Sequence, residues 1–376
     1  MNESRLLRRP RFFYTVDSKK HGKGLLRRDT QMKQAIVMGI MAVLFMTVLT
    51  ACGNSAEADH SQEVQDMVSN TMDAEYEQKD TEDDILAGSF YTTDTPISDV
   101  MHDPAFGDYG RLIFPVDDWY YSGDTLGNLH LTYYSNIDPD MTVEITNYMK
   151  EHATSGNTIF YDIYTDEERA ADPEKEDTGL FFFKGNPGER FAVCNAGGAF
   201  AYVGAMHDSF PHALELSKQG YNAFALIYRP GAQTACEDLA RAIQFIFEHA
   251  DELEVNTDGY SLWGGSAGAR MAAWVGSYGT AAFGADDLPQ PAAVIMQYTG
   301  LSEYSKSDPA TFVAVGESDG IANWRTMKRR LEGMSALGID TEFHSYPGLS
   351  HGFGLGTGTV AEGWIDEAIA FWQRQV

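Results

Sequence analysis

The stretch Asp258-Gly259-Tyr260-Ser261-Leu262-Trp263-Gly264-Gly265-Ser266-Ala267-Gly268-Ala269-Arg270-Met271-Ala272-Ala273-Trp274 decides how the rest of the chain is read. Tyr260 to Trp263 has the composition of a short buried strand, and the small residues from Ala267 onward favour a helix. Between them, Gly264-Gly265-Ser266-Ala267-Gly268 is a G-x-S-x-G pattern. At a strand-to-helix turn this pattern has a mechanical meaning. The chain must reverse sharply, the central serine takes a strained backbone conformation, and the glycines leave room for close strand–helix contact. The hydroxyl is then held at the sheet edge, above the positive end of the helix. From composition alone such a pattern arises by chance about once in five to ten chains of this length. The weight therefore rests on its surroundings.

A serine nucleophile needs a base to take its proton, an acid to orient the base, and donors for the oxyanion. Downstream, Val315-Gly316-Glu317-Ser318-Asp319-Gly320 follows an apolar run, which sets a carboxylate at the carboxyl edge of a sheet. Asp319 is preferred to Glu317 as the acid by its position after that strand, although Glu-Ser-Asp-Gly is also ordinary turn chemistry. Leu349-Ser350-His351-Gly352-Phe353 follows the last predicted strand and offers His351 as the base. His344 lies inside that strand, where a packed or surface histidine is expected. Upstream, Asn195-Ala196-Gly197-Gly198-Ala199-Phe200 also follows a strand, and its two glycines let backbone N–H groups approach an oxyanion. The expected catalytic residues are thus Ser266, Asp319 and His351. The expected oxyanion donors are Gly197, Gly198 and Ala267.

Working outward, strand-like and helix-like segments alternate. Strands are predicted over 158–164, 179–184, 190–195, 222–228, 292–297, 311–315 and 342–346. Helices are predicted over 209–219, 234–250, 324–337 and 361–373, besides the one after Ser266. In the 234–250 helix, Leu239, Ala242, Ile243, Ile246 and Phe247 share one face. This alternation predicts an α/β fold, a mostly parallel sheet with helices on both faces. Residues 158–376 make up the expected catalytic domain. Residues 86–157 are aromatic-rich, with a helix predicted from Pro139 to Glu151. They are expected to cover the core, or to form a partial cap or a stacking surface for a sugar ring.

The chain from about Thr158 onward resembles the α/β-hydrolase superfamily, in particular the esterase/lipase group with an H-G-G-G-type oxyanion loop. The resemblance rests on Ala196 to Phe200, Gly264 to Gly268, Asp319 and His351-Gly352-Phe353. Ala196 stands where that group usually has His, and Ala199 where it has the third Gly. Because the oxyanion role needs only backbone, these departures bear on the choice of acyl group or alcohol.

The first 85 residues read differently. Gln34 to Ala51 is a short apolar run after Lys33, and it ends Leu49-Thr50-Ala51-Cys52. Residues 32–51 have the layout of a secretory signal peptide, and the ending resembles the bacterial lipobox, which implies lipid attachment at Cys52. Such a run could also serve as a transmembrane helix, though it is short for one. Residues 1–31 are a basic leader without pattern, consistent with an upstream start ahead of Met32. Residues 52–85 form an acidic linker that cannot offset its ordering entropy by burial. The expected address is extracytoplasmic, with the membrane reached through the lipid anchor.

Composition narrows the partners. The 376 residues are 43% hydrophobic and 12% aromatic, enough for one large core. Of 27 basic and 55 acidic residues, 10 and 3 precede residue 34, which leaves 17 and 52 from Cys52 onward. So acidic a surface repels nucleic acid and anionic membranes, and accepts neutral or cationic small molecules more readily. Cys194 is expected to be a buried thiol, and a disulfide with Cys236 is permitted but not demanded. No C-x-x-C or H-E-x-x-H occurs, and neither metal nor cofactor is expected. The reading is a serine carboxylic ester hydrolase acting on small neutral esters, with acetylated carbohydrate as a candidate class. A serine peptidase on the same fold, or a non-catalytic binding protein, are the alternatives.

Overall fold

The structure is a computed structural model, and it describes residues 90–134 and 137–376. The basic leader, the apolar run, Cys52 and the acidic linker lie outside the described residues. Among those described, no helix is long and apolar enough to cross a membrane.

Ten strands form among the described residues. β1 (Tyr121–Ser122) and β2 (His130–Leu131) pair antiparallel as a small separate sheet. The central sheet contains β3 (Phe160–Tyr161), β4 (Gly179–Phe183), β5 (Arg190–Asn195), β6 (Asn222–Ile227), β7 (Asn256–Gly265), β8 (Ala293–Gln297), β9 (Ala310–Gly316) and β10 (Thr341–Tyr346). Their order across the sheet is β10-β9-β8-β7-β5-β6-β4-β3. From β10 to β6 every pair is parallel, and β4 and β3 are added antiparallel at one edge. The parallel strands read as near-continuous apolar runs because both of their faces are covered. β8, Ala-Val-Ile-Met-Gln, is buried throughout.

Six helices of nine residues or more, among the same residues, cover the sheet: α1 (Pro139–Thr154), α2 (Phe210–Lys218), α3 (Ala232–Glu248), α4 (Ala267–Tyr278), α5 (Trp324–Ala336) and α6 (Trp364–Gln373). Strand periodicity sorts them onto two faces. Trp263 points to one face, against Trp364 and Trp372 of α6; His212 of α2 meets Trp364, and Tyr148 of α1 stacks on Phe183. Gly264 points to the other, against Gly268 of α4. There α3 packs on α4, and Arg330 of α5 reaches Met296 of β8.

Local chemistry sets the boundaries. α1 starts where Asp138 accepts from the Asp140 and Met141 N–H groups, with Pro139 in the first turn. α6 begins three residues later than the predicted 361, because Gly363 takes φ +87°, outside helical space. Only Phe160 and Tyr161 of the predicted 158–164 strand pair with the sheet. Beyond them the chain turns into the short helix Asp166–Ala171, whose capping box joins Thr165 and Glu168. In the aromatic-rich region Tyr91, Phe106 and Phe114 enter the main core, while Trp119 and Tyr133 stay exposed. Cys194 and Cys236 are both buried free thiols, and burial pushes both well up from the ordinary thiol range.

Candidate active site

β7 and α4 place Ser266 between them at φ +50°, ψ −110°, a conformation that costs an L-residue about 1–3 kcal/mol. The turn is held on one side by the Ser266 N–H, which donates to the Gln297 carbonyl at 3.0 Å. On the other side the backbone of α4 lies against the end of β5. A Cβ on Gly268 would overlap the Asn195 carbonyl and lie 2.7 Å from that of Ala196. Glycine is required there by close approach of two backbones.

Three loops at the carboxyl ends of the parallel strands converge on this serine. The Ser266 hydroxyl lies 3.1 Å from His351 Nε2. His351 Nδ1 lies 2.8 Å from Asp319 Oδ2. The other oxygen of Asp319 accepts from the Ile321 and Ala322 N–H groups, each at 2.7 Å. The Asp319 side chain is fully covered, and that of His351 is 9% exposed. Glu317, by contrast, is exposed and accepts from the Ser345 hydroxyl. His344 stacks on Phe312 between Glu342 and Glu367, away from the serine.

The oxyanion loop needs one correction. The Gly197 N–H, expected to face the oxyanion, instead donates to Asp208 Oδ2 at 2.6 Å. A buried carboxylate with no cationic partner among the described residues must be satisfied by other donors, and this N–H is one of them. The N–H groups of Gly198 and Ala267 have no acceptor within the described residues. Gly198, at φ +129°, directly follows Gly197, where an added Cβ would lie 3.0 Å from that of Ser266, so this part of the loop packs against the Ser266 side chain.

Residues 189–329 match the BD-FAE family model, a span that carries the oxyanion loop, Ser266 and Asp319. The fold is similar to the acetyl ester-xyloside bifunctional hydrolase from Caldicellulosiruptor lactoaceticus, at 17% identity over 57% of this chain and 95% of that one, with a TM-score of 0.50. The chain has the α/β-hydrolase fold. Two further structures are similar: Thermogutta terrifontis esterase 2 (20% identity, 52% of this chain and 89% of that one, TM-score 0.45) and MGS-M1, an α/β hydrolase enzyme from a Medee basin deep-sea metagenome library (20% identity, 53% and 92%, TM-score 0.44). No curated protein sequence matches the chain.

On this α/β-hydrolase fold several residues that sequence reasoning passed over stand next to Ser266, Asp319 and His351. Tyr298, just after β8, meets the His351 ring edge-on at 5.1 Å between centroids. Its hydroxyl donates to Asp208 Oδ1. Tyr134 reaches in from the aromatic-rich region and donates to Asp208 Oδ2 at 2.9 Å. Burial, and then the Asp208 charge, hold both phenols far above their ordinary range, so each remains a donor. His207 is buried and held below the ordinary imidazole range by burial; its Nε2 lies 2.7 Å from the Gly352 carbonyl, to which the neutral ring donates. Asp208 carried little local signal, because Ala205-Met206-His207-Asp208-Ser209-Phe210 is as polar as it is apolar.

A cleft of about 440 Å³ opens beside His351, walled by Ile137, Met141, Met206, Leu349 and Phe353 among others. On the serine's own helix, Ser266, Arg270 and Trp274 are the only residues from 266 to 275 that are not buried. They form one open stripe, and Phe200 stacks on Trp274 at its far end. Among the described residues, no three His, Cys, Asp or Glu side chains converge as a metal set would.

Proposed function

We propose that this chain is a serine carboxylic ester hydrolase working through an acyl-enzyme. The observation that carries the reading is the unbroken chain Ser266 Oγ, His351 Nε2, His351 Nδ1, Asp319 Oδ2, with each link at hydrogen-bond length. In the first step His351 Nε2 takes the serine proton as Oγ attacks the ester carbonyl. Asp319 holds the Nδ1–H and stabilises the imidazolium that forms. The Gly198 and Ala267 N–H groups receive the oxyanion, and His351 returns the proton to the leaving alcohol. Water repeats the sequence on the acyl-enzyme.

Small neutral esters are the favoured substrates. β8 ends at Gln297 and β9 begins at Ala310, so the connection has no room for a large lid. The acidic surface favours neutral molecules over anions. Acetylated carbohydrate is the proposed class, supported by the Phe200–Trp274 stack at the end of the open stripe and by exposed Trp119 and Tyr133. The proposed setting is extracytoplasmic, with lipid on Cys52; Cys52→Ser should release soluble protein, and unchanged attachment would refute the anchor. The activity is tested with p-nitrophenyl esters of increasing chain length. Acetate and butyrate should be the best substrates. A strong preference for long chains would overturn the small-ester reading, and turnover of peptides without esters would replace it with a peptidase.

A further inference from the structure

We infer that Asp208 is a positioning residue for the reaction: a buried carboxylate that fixes the oxyanion loop and the histidine wall from beneath the nucleophile turn. This role rests on the ester-hydrolase reading above. Asp208 is 1% exposed, in the short helix Ala205–Asp208, whose four residues are all buried. No Lys or Arg pairs with it among the described residues. Burying such a group costs several kcal/mol unless hydrogen bonds satisfy it. Here they do, from the Gly197 N–H, the Tyr134 hydroxyl and the Tyr298 hydroxyl.

The sources of those three donors define the role. They come from three segments far apart in sequence, and each segment forms part of the site. Gly197 immediately precedes Gly198, whose N–H is left for the oxyanion. Tyr298 sits at φ +30°, a strained conformation for an aromatic residue, and presents its ring to His351. Tyr134 packs against Gly352, the residue after His351, whose carbonyl His207 also holds. A Cβ on Gly265 would run into the Asp208 carboxylate, so the charge lies directly under the turn that carries Ser266. A group that served stability alone would not need to gather the oxyanion loop, the wall of His351 and the nucleophile turn at one point. Two oxygens facing one N–H and two O–H groups suit the ionised carboxylate. An amide at this position sets its NH2 against one of the two hydroxyls, which must stop donating and reorient, so one of the three bonds that hold the loop is lost or reversed.

The test uses Asp208→Asn in the full-length protein, with kcat expressed per active site titrated by burst amplitude, and the Ki of phenylboronic acid as a mimic of the tetrahedral intermediate. Loss of an oxyanion donor costs on the order of 10²-fold in kcat. Asp208→Asn is expected to lose kcat on that scale, with KM within about threefold and the boronate Ki weakened in step. A purely structural role would lower the melting temperature and leave kcat per titrated site and Ki unmoved, which would overturn the inference. Should Asp208→Asn fail to fold, Tyr298→Phe takes its place: it keeps the ring against His351 and deletes one donor. A roughly tenfold fall in kcat matched by Ki supports the role, and values within twofold of wild type overturn it. A wild type that hydrolyses no ester overturns the esterase reading and this role together. A wild type that does, beside an equally active Asp208→Asn, overturns this role alone.

Discussion

Asp319→Asn is the substitution whose outcome the geometry determines most fully. Asp319 Oδ1 accepts two backbone N–H groups, from Ile321 and Ala322, at 2.7 Å each. An asparagine that turned its amide nitrogen toward them would lose both bonds and set donor against donor, at a cost of about 2–6 kcal/mol. Its oxygen therefore stays with the two N–H groups, and its Nδ2 occupies the Oδ2 position, 2.8 Å from His351 Nδ1. A donor there obliges Nδ1 to accept, which moves the ring proton to Nε2. Nε2 is the atom 3.1 Å from the Ser266 hydroxyl, and once protonated it cannot take the serine proton. The expected loss is on the order of 10⁴-fold in kcat, or about 5.5 kcal/mol of transition-state stabilisation. Initial rates on p-nitrophenyl acetate, with melting temperature and active-site titration as controls, measure it. A folded Asp319→Asn within tenfold of the wild-type kcat would refute the assignment of acid and tautomer together.

Three further outcomes follow from the same structure. Glu317→Gln should leave kcat within about twofold, since its exposed carboxylate accepts from the Ser345 hydroxyl at the surface, away from Ser266 and His351; a loss comparable to that of Asp319→Asn would transfer the acid role to Glu317. Gly268→Ala inserts a methyl against the Asn195 and Ala196 carbonyls, so α4 and the oxyanion loop must part by roughly 1 Å, which costs about 10²-fold in kcat and 1–3 kcal/mol in stability; an unchanged rate and melting temperature would contradict the close approach. His207 and His212 are both buried and held below the ordinary imidazole range by burial. A depressed folded pKa gives stability that is present above the unfolded value, about 6.5, and is lost as pH falls below it, by up to about 1.4 kcal/mol per histidine per pH unit. Melting temperature should therefore fall from pH 6.5 to 5, and His207→Gln, which keeps a donor for the Gly352 carbonyl, should flatten that slope; equal slopes in the two proteins would refute the account.

The parts of the molecule legible in the sequence are those written in local pattern. The turn around Ser266 announced itself because two backbones cannot meet without Gly268. The buried parallel strands announced themselves as short apolar runs such as Ala293 to Gln297. The order Ser266, Asp319, His351, each beyond a strand, was enough to pick the three side chains that the fold brings within hydrogen-bond reach. Illegible were features that depend on contacts across the sheet. Nothing near Gly197 reveals that its N–H turns inward, because the acceptor Asp208 is eleven residues away and held by Tyr134 and Tyr298, which lie 74 and 90 residues from it. The positive φ of Tyr298 leaves no trace in its neighbours. Edge strands were overestimated for a related reason: residues 158–164 have strand composition, but only Phe160 and Tyr161 find a partner in β4.

The central claim is that Ser266 is an activated nucleophile, and intact mass after treatment with a fluorophosphonate tests it most directly. The folded protein should gain one adduct, mapped to the peptide containing Ser266, while Ser266→Ala and heat-unfolded protein gain none. Folded wild-type protein that stays unlabelled, or that labels equally in Ser266→Ala, would contradict the account and leave a binding protein on a hydrolase fold as the better reading.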